Sequence, residues 1–248
     1  MSNVSFDFAG KNFVVTGASS GMGKQTVIEL AQAGATVLAI ARRTEKLEEL
    51  RAVNPERIFS ASADVRSIDA MKTSVEAFVK EHGKLDGGVH AAGITGITAL
   101  RSYDEELAHA ILDISFWGAV NFMQVCSKAK LSNSAASYVL FSSIAASEGL
   151  KGKFAYSAAK AAVNTAAKSF AKEIARRKQR VNTILPGWVD TAMTQDSEDT
   201  TDVQAIVIQD LLGLGTPADV SGMMLFLLSD RAAWITGAHI PVDGGYLA

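Results

Sequence analysis

Short, almost wholly apolar runs alternate with helical stretches along the entire chain, and that alternation leaves few folds open. Residues 12–16, 36–41, 57–62, 88–91, 137–142, 181–185 and 238–242 read as strands. Between them, 24–33, 44–53, 67–81, 102–130, 154–177 and 218–228 carry apolar residues at helical spacing, and a short helix is expected around 202–211. Thr44 reads as the N-cap of its helix. Strands that are apolar on both faces belong to a parallel sheet covered on both sides. The expected fold is therefore α/β, a single domain over residues 1–248 built as a doubly wound parallel sheet in three layers, α/β/α. Ligands of such sheets bind at the carboxyl ends of the strands, so function is to be sought just after each one.

After the first strand the chain reads Gly17-Ala18-Ser19-Ser20-Gly21-Met22-Gly23 and then opens a helix. Glycines there let the backbone approach a pyrophosphate, and the helix start supplies amide donors and the positive end of a dipole. The spacing is Gly-x-x-x-Gly-x-Gly, not the commoner Gly-x-Gly-x-x-Gly. At the end of the second strand an NAD site places an acid for the ribose 2′-hydroxyl, whereas an NADP site needs a cation. Here the residues are Ala41-Arg42-Arg43, with no acid and two guanidiniums suited to a phosphate. Ser19 and Ser20 add hydroxyls. The expected cofactor is NADP(H).

Tyr156 and Lys160 stand four residues apart in an alanine-rich run with no glycine or proline before Pro186, so they share one helix face. An ammonium beside a phenol favours the phenolate, and the expectation is a tyrosine acidic enough to exchange a proton near neutrality. Such pairs also occur as plain helix decoration, so the pair gains weight only from its surroundings.

Other function classes find little support. The net charge is −2, and the basic group Arg176, Arg177, Lys178 and Arg180 falls where it suits the end of a helix dipole better than a nucleic acid. The single cysteine, Cys126, forms no internal disulfide and fits a reducing, cytoplasmic setting. His82, His90, His109 and His239 are scattered without ligand spacing, so no metal is expected. The N-terminus lacks a signal-peptide pattern, and no apolar run approaches a membrane span.

Together the Gly17–Gly23 turn and the Tyr156/Lys160 pair resemble the short-chain dehydrogenase/reductase family, of the single-domain Rossmann type. Further matches follow the strand ends: Asp64-Val65, Ala92-Gly93, Ser143, Pro186-Gly187 with Thr191, and Asp243-Gly244-Gly245. The resemblance covers nearly the whole chain and is strongest to 3-oxoacyl-thioester reductases and related carbonyl reductases. It implies an NADPH-dependent carbonyl reductase, reversible as an alcohol dehydrogenase. Tyr156 would donate the proton, Lys160 would bind the nicotinamide ribose, and Ser143 would hydrogen-bond the reacting oxygen. Asp64 and Val65 would lie by the adenine, with Ala91, Ala92 and Gly93 in the cofactor groove. Pro186, Gly187, Val189 and Thr191 would line the nicotinamide. A homotetramer or homodimer is implied as well, with residues 235–242 as an edge strand able to pack across a subunit interface. Enoyl reductases of the family space their Tyr and Lys more widely, which makes that reading a poorer fit. A cofactor-binding regulator without catalysis is the alternative from another class.

Two departures from the family pattern stand out. Where the family has Asn-Asn-Ala-Gly, this chain has His90-Ala91-Ala92-Gly93, and His90 is expected to be a packed or partnered core histidine. Three residues before Gly118, where the family has an asparagine that holds a relay water, this chain has Ser115. A working triad with a modified proton relay is the expectation. For the substrate end, a short acidic lid is expected over residues 192–213, with Ile94, Leu150, Trp188 and Met193 as pocket walls around a small carbonyl or alcohol substrate.

Overall fold

The computed structural model describes residues 4–195 and 211–248. Seven parallel strands form one sheet: β1 (Asn12–Thr16), β2 (Thr36–Ala41), β3 (Ile58–Ser62), β4 (Leu85–His90), β5 (Ser132–Phe141), β6 (Arg180–Pro186) and β7 (His239–Val242). Their order is β3-β2-β1-β4-β5-β6-β7. The direction of winding reverses between β1 and β4, and a crevice opens at the carboxyl ends there.

The helices are α1 (Gly21–Gln32), α2 (Thr44–Arg51), α3 (Ile68–His82), α4 (Glu105–Leu112), α5 (Gly118–Cys126), α6 (Ala145–Glu148), α7 (Phe154–Ile174), α8 (Ala192–Gln195) and α9 (Pro217–Leu228). One face of the sheet is covered by α1, α2 and α9, burying Val27, Leu30, Leu47, Leu50, Val220 and Met224. The other face is covered by α3, α5 and α7, burying Met71, Val75, Phe122, Met123 and Val163. Strands buried on both faces, as β1, β2, β4 and β6 are, are what a sheet sandwiched in this way requires.

Two local readings differ from expectation. Arg43, not Thr44, is the N-cap of α2, and it makes no side-chain cap hydrogen bond. The stretch expected as one long helix breaks into α4, a π-helical turn at Asp113–Trp117, and α5. At Gly118 a Cβ would sit 2.9 Å from Val65 Cγ2 and 3.2 Å from His90 Cε1, so the bare glycine lets α5 close on the strand ends. The helix expected around 202–211 and most of the expected lid fall at residues 196–210, outside the described residues. Of the basic cluster, Arg177 donates to the Ser127 and Ser132 carbonyls and Arg180 to those of Leu227 and Ser229. These guanidiniums tie segments together rather than forming a free basic stripe.

Candidate active site

The crevice begins at the glycine turn. Gly17 has φ +68°, and a Cβ there would lie 2.6 Å from the Ala91 carbonyl carbon and the Ala92 nitrogen. Only glycine accepts both the conformation and the approach of the β4 end. The turn delivers the chain into α1, whose start faces a cavity of ≈340 Å³. That cavity runs from Arg42, Arg43 and Asp64 past the turn to Ala92, Gly93 and Thr191. A backbone cradle with a helix N-terminus at one end fits the diphosphate of a dinucleotide.

Arg43 is not a loose surface side chain. Its Nη2 donates to Ser19 Oγ at 2.8 Å and Ser20 Oγ at 2.9 Å, and its Nε to Ser19 Oγ at 3.2 Å. The two serines thus hold the guanidinium across the mouth of the turn. Asp64 is engaged by Arg66 at 2.7 Å, and that hydrogen bond holds its carboxyl below the ordinary range. Asn121 Nδ2 donates to the Val65 carbonyl at 3.0 Å and fixes the same loop. Ala18 is fully buried in the core and borders neither this cavity nor the next.

A second cavity of ≈110 Å³ adjoins the first, sharing Met22, Ala91, Gly93, Phe141, Thr191 and Met193. Ser143, Tyr156, Lys160, Pro186, Gly187 and Val189 all border it, so three separate chain segments converge there. Leu150, Trp188 and Met193 are among its walls. Ile94 borders the larger cavity rather than this one.

The triad geometry follows from how β5 meets α7. Ser142 Oγ donates to the Lys160 carbonyl at 3.0 Å, pinning the strand end to the helix. Ser143 Oγ accepts from the Ala145 amide at 3.2 Å, which leaves its proton to give. Lys160 Nζ, buried, donates to the Phe141 carbonyl at 3.0 Å and stands 5.6 Å from the centre of the Tyr156 ring.

The acidity of the phenol runs opposite to expectation. Burial pushes Tyr156 above its ordinary value, and a hydrogen bond with Ser143 offsets only part of that. Lys160, the intended acidifier, is itself pushed down to about 8 by burial. Its ammonium is spent on a backbone carbonyl. Tyr156 is therefore a neutral phenol through the neutral pH range, which is the protonation state a proton donor needs.

Ser115 lies in the π-helical turn, fully buried, and its Oγ has no hydrogen-bond partner among the described residues. A Cβ at Gly93 would stand 3.4 Å from Lys160 Nζ and 3.5 Å from Ser115 Oγ, so the two polar atoms converge on one bare glycine. His90 ends β4 in register with Thr16 of β1, and its Nδ1 is 2.8 Å from Thr16 Oγ1. Its Nε2 is buried with no hydrogen-bond partner among the described residues. Burial, aided by Lys160, lowers its pKa to about 3, so the ring is neutral. No cluster of metal-binding side chains occurs among the described residues.

A family model described as enoyl-(acyl carrier protein) reductase matches residues 17–247. The 3-oxoacyl-(acyl-carrier-protein) reductase FabG of Thermotoga maritima is 34% identical over 239 residues, 95% of this chain and 97% of that protein. A short-chain dehydrogenase/reductase of the glucose/ribitol dehydrogenase type from Brucella melitensis superposes with a TM-score of 0.92 at 27% identity, covering 98% of this chain and 99% of its own. Actinorhodin polyketide ketoreductase, in a crystal structure with NADPH, superposes with a TM-score of 0.88 at 26% identity and the same coverage. The fold and the site define a nicotinamide-dependent oxidoreductase of the Rossmann type. The chain belongs to the short-chain dehydrogenase/reductase family, and its activity is NAD(P)H-dependent carbonyl reduction.

Proposed function

We propose that this chain reduces the ketone of a 3-oxoacyl thioester, with NADPH as its preferred cofactor. The observation that carries the reading is the convergence of Ser143, Tyr156 and Lys160 on one ≈110 Å³ cavity that opens into the glycine-turn groove. The likeness to 3-oxoacyl-thioester reductases supports the substrate class. The serine-held Arg43, with Arg42 beside it and no acid at the end of β2, supports NADPH over NADH.

A nicotinamide held in the groove would supply hydride to the carbonyl carbon. In this reading Ser143 and Tyr156 meet the charge that grows on the oxygen, and Tyr156 passes its hydroxyl proton to that oxygen to give the alcohol. Lys160, anchored on the Phe141 carbonyl, keeps a positive charge beside the phenolate left behind and reaches the cofactor ribose. Ser115 and the adjoining π-helical turn carry the replacement proton inward to Lys160. The groove residues Gly17, Ser19, Ser20, Gly21, Met22 and Gly23 hold the diphosphate. Asp64 and Val65 flank the adenine, and Pro186, Gly187, Val189 and Thr191 flank the nicotinamide.

A homotetramer or homodimer belongs to the same reading. Trp234, 99% exposed just before edge strand β7, supports it as an apolar anchor for a second copy. A cytoplasmic setting is part of it too, supported by a lone cysteine that burial keeps as the thiol.

The test is NADPH and NADH oxidation with an acetoacetyl thioester, a crotonyl thioester and a simple ketone. Reduction of the acetoacetyl thioester with NADPH preferred, and no turnover of the crotonyl thioester, is expected. Turnover of the crotonyl thioester alone would transfer the chain to the enoyl-reductase class.

A further inference from the structure

We propose that Lys153 determines substrate specificity by holding a second acceptor oxygen on the substrate, one carbon removed from the carbonyl being reduced. The proposal rests on the carbonyl-reductase reading and names what lies next to the reacting group.

Lys153 occupies a position where lysine is a poor choice on structural grounds. It is the N-cap of α7, a 21-residue helix, and makes no side-chain cap hydrogen bond. N-caps favour Ser, Thr, Asp and Asn, and a cation there meets the positive end of the helix dipole. The side chain is also half-buried, and burial pushes the ammonium below its ordinary value. Its neighbour Lys151 is exposed in the ordinary way. Local rules broken together at one residue point to a site rather than to scaffolding.

The surroundings say what the site meets. Lys153 borders the same ≈110 Å³ cavity as Ser143 and Tyr156, and its Nζ lies 3.5 Å from Thr95 Oγ1, another wall of that cavity. Its backbone is strapped down on both sides. Thr98 bridges to Lys153, the Thr98 amide donates to the Gly152 carbonyl at 2.7 Å, and the Ala155 amide donates to Thr98 Oγ1 at 3.2 Å. The backbone that carries the lysine is therefore fixed, as the base of a specificity contact must be.

All three side chains line one small cavity. Ser143, Tyr156 and Lys153 border that cavity together, so one small molecule can meet all three. In the 3-oxoacyl group of the proposed function the two carbonyl carbons are about 2.5 Å apart across one methylene, so a second oxygen lies within the same small molecule. The shared chemistry is an acceptor oxygen on the 3-oxoacyl head, supplied by a free carboxylate or by a thioester carbonyl.

The experiment compares kcat and KM for acetoacetate, its N-acetylcysteamine thioester and 2-pentanone, all with NADPH, in the wild type, Lys153→Met and Lys153→Arg. Lys153→Met keeps the aliphatic stem, and unchanged NADPH binding verifies its fold. The expected result is a ten-fold or greater loss of kcat/KM on at least one dicarbonyl, carried mainly by KM, with 2-pentanone changed less than two-fold and Lys153→Arg largely restored. A loss confined to acetoacetate identifies the carboxylate as the second acceptor, and one confined to the thioester identifies its carbonyl. Equal effects on all three substrates, or none, overturn the role of Lys153 while leaving the reductase reading intact. No turnover of any substrate by the wild type overturns the reductase reading and this proposal with it.

Discussion

His90 ties the stability of this protein to pH in a way its family pattern does not, and the size of the effect follows from its burial. The ring is 1% exposed, shares a hydrogen bond with Thr16, and has its pKa lowered to about 3 from 6.5. Because the folded value is depressed, the unfolded chain takes a proton near pH 6.5 that the folded chain refuses until about pH 3. Above pH 6.5 the group carries no penalty. Below it, stability falls by up to about 1.4 kcal/mol per pH unit, or roughly 2 kcal/mol between pH 7 and pH 5. The carboxylates held low, Asp64 and Asp219 among them, lose their contributions only at lower pH. Lys160, depressed to about 8, is charged in both states throughout this window. His239, also lowered by burial, is present in both proteins to be compared and cancels in the difference. The assay is thermal or urea unfolding of the wild type and His90→Asn at pH 7 and pH 5. The wild type is expected to lose about 2 kcal/mol more than the variant, which for a chain of this size is about 4–8 °C in Tm. Two proteins that lose stability in parallel would show that His90 is not held neutral in the fold.

Ser115→Asn is expected to keep or raise turnover, because an amide offers two donors where the hydroxyl offers one and stands beside Lys160 at the same bare glycine. A collapse in kcat with unchanged Tm and cofactor binding would remove Ser115 from the relay. Arg43→Ala is expected to lower kcat/KM for NADPH by about ten- to a hundred-fold, the worth of one charge-assisted hydrogen bond, and to leave NADH within two-fold. Equal losses on both cofactors would show that Arg43 supports the turn without reading the 2′-phosphate.

Much of this site was written plainly in the chain. The alternation of apolar strands with helices gave the layers, and the glycine turn and the Tyr156/Lys160 spacing needed only local periodicity to be read. What stayed hidden depends on atoms brought together from afar. Thr16 and His90 are 74 residues apart and meet only because β1 and β4 are neighbours in register. The serine clamp on Arg43 joins the first and second strand ends in the same way. The π-helical turn at Ser115 leaves no mark on an apolar pattern that α4 and α5 continue on either side. The sign of the Tyr156 shift was misread because the helical spacing reports that Lys160 is near, not that both groups are buried or that the ammonium is turned to the Phe141 carbonyl. The place of Lys153 is hidden in the sequence for a related reason. A lysine three residues before Tyr156 looks like helix-entry polarity until the fold turns it into the cleft.

The central claim is that a neutral, buried Tyr156 passes its proton to a substrate oxygen beside a bound nicotinamide. Single-turnover reduction of an acetoacetyl thioester by Tyr156→Phe, pre-loaded with NADPH, measures this directly. A fall in the rate of NADPH oxidation of about a hundred- to ten-thousand-fold is expected, with NADPH affinity changed less than three-fold. A variant that still oxidises NADPH within three-fold of the wild-type rate would contradict the claim.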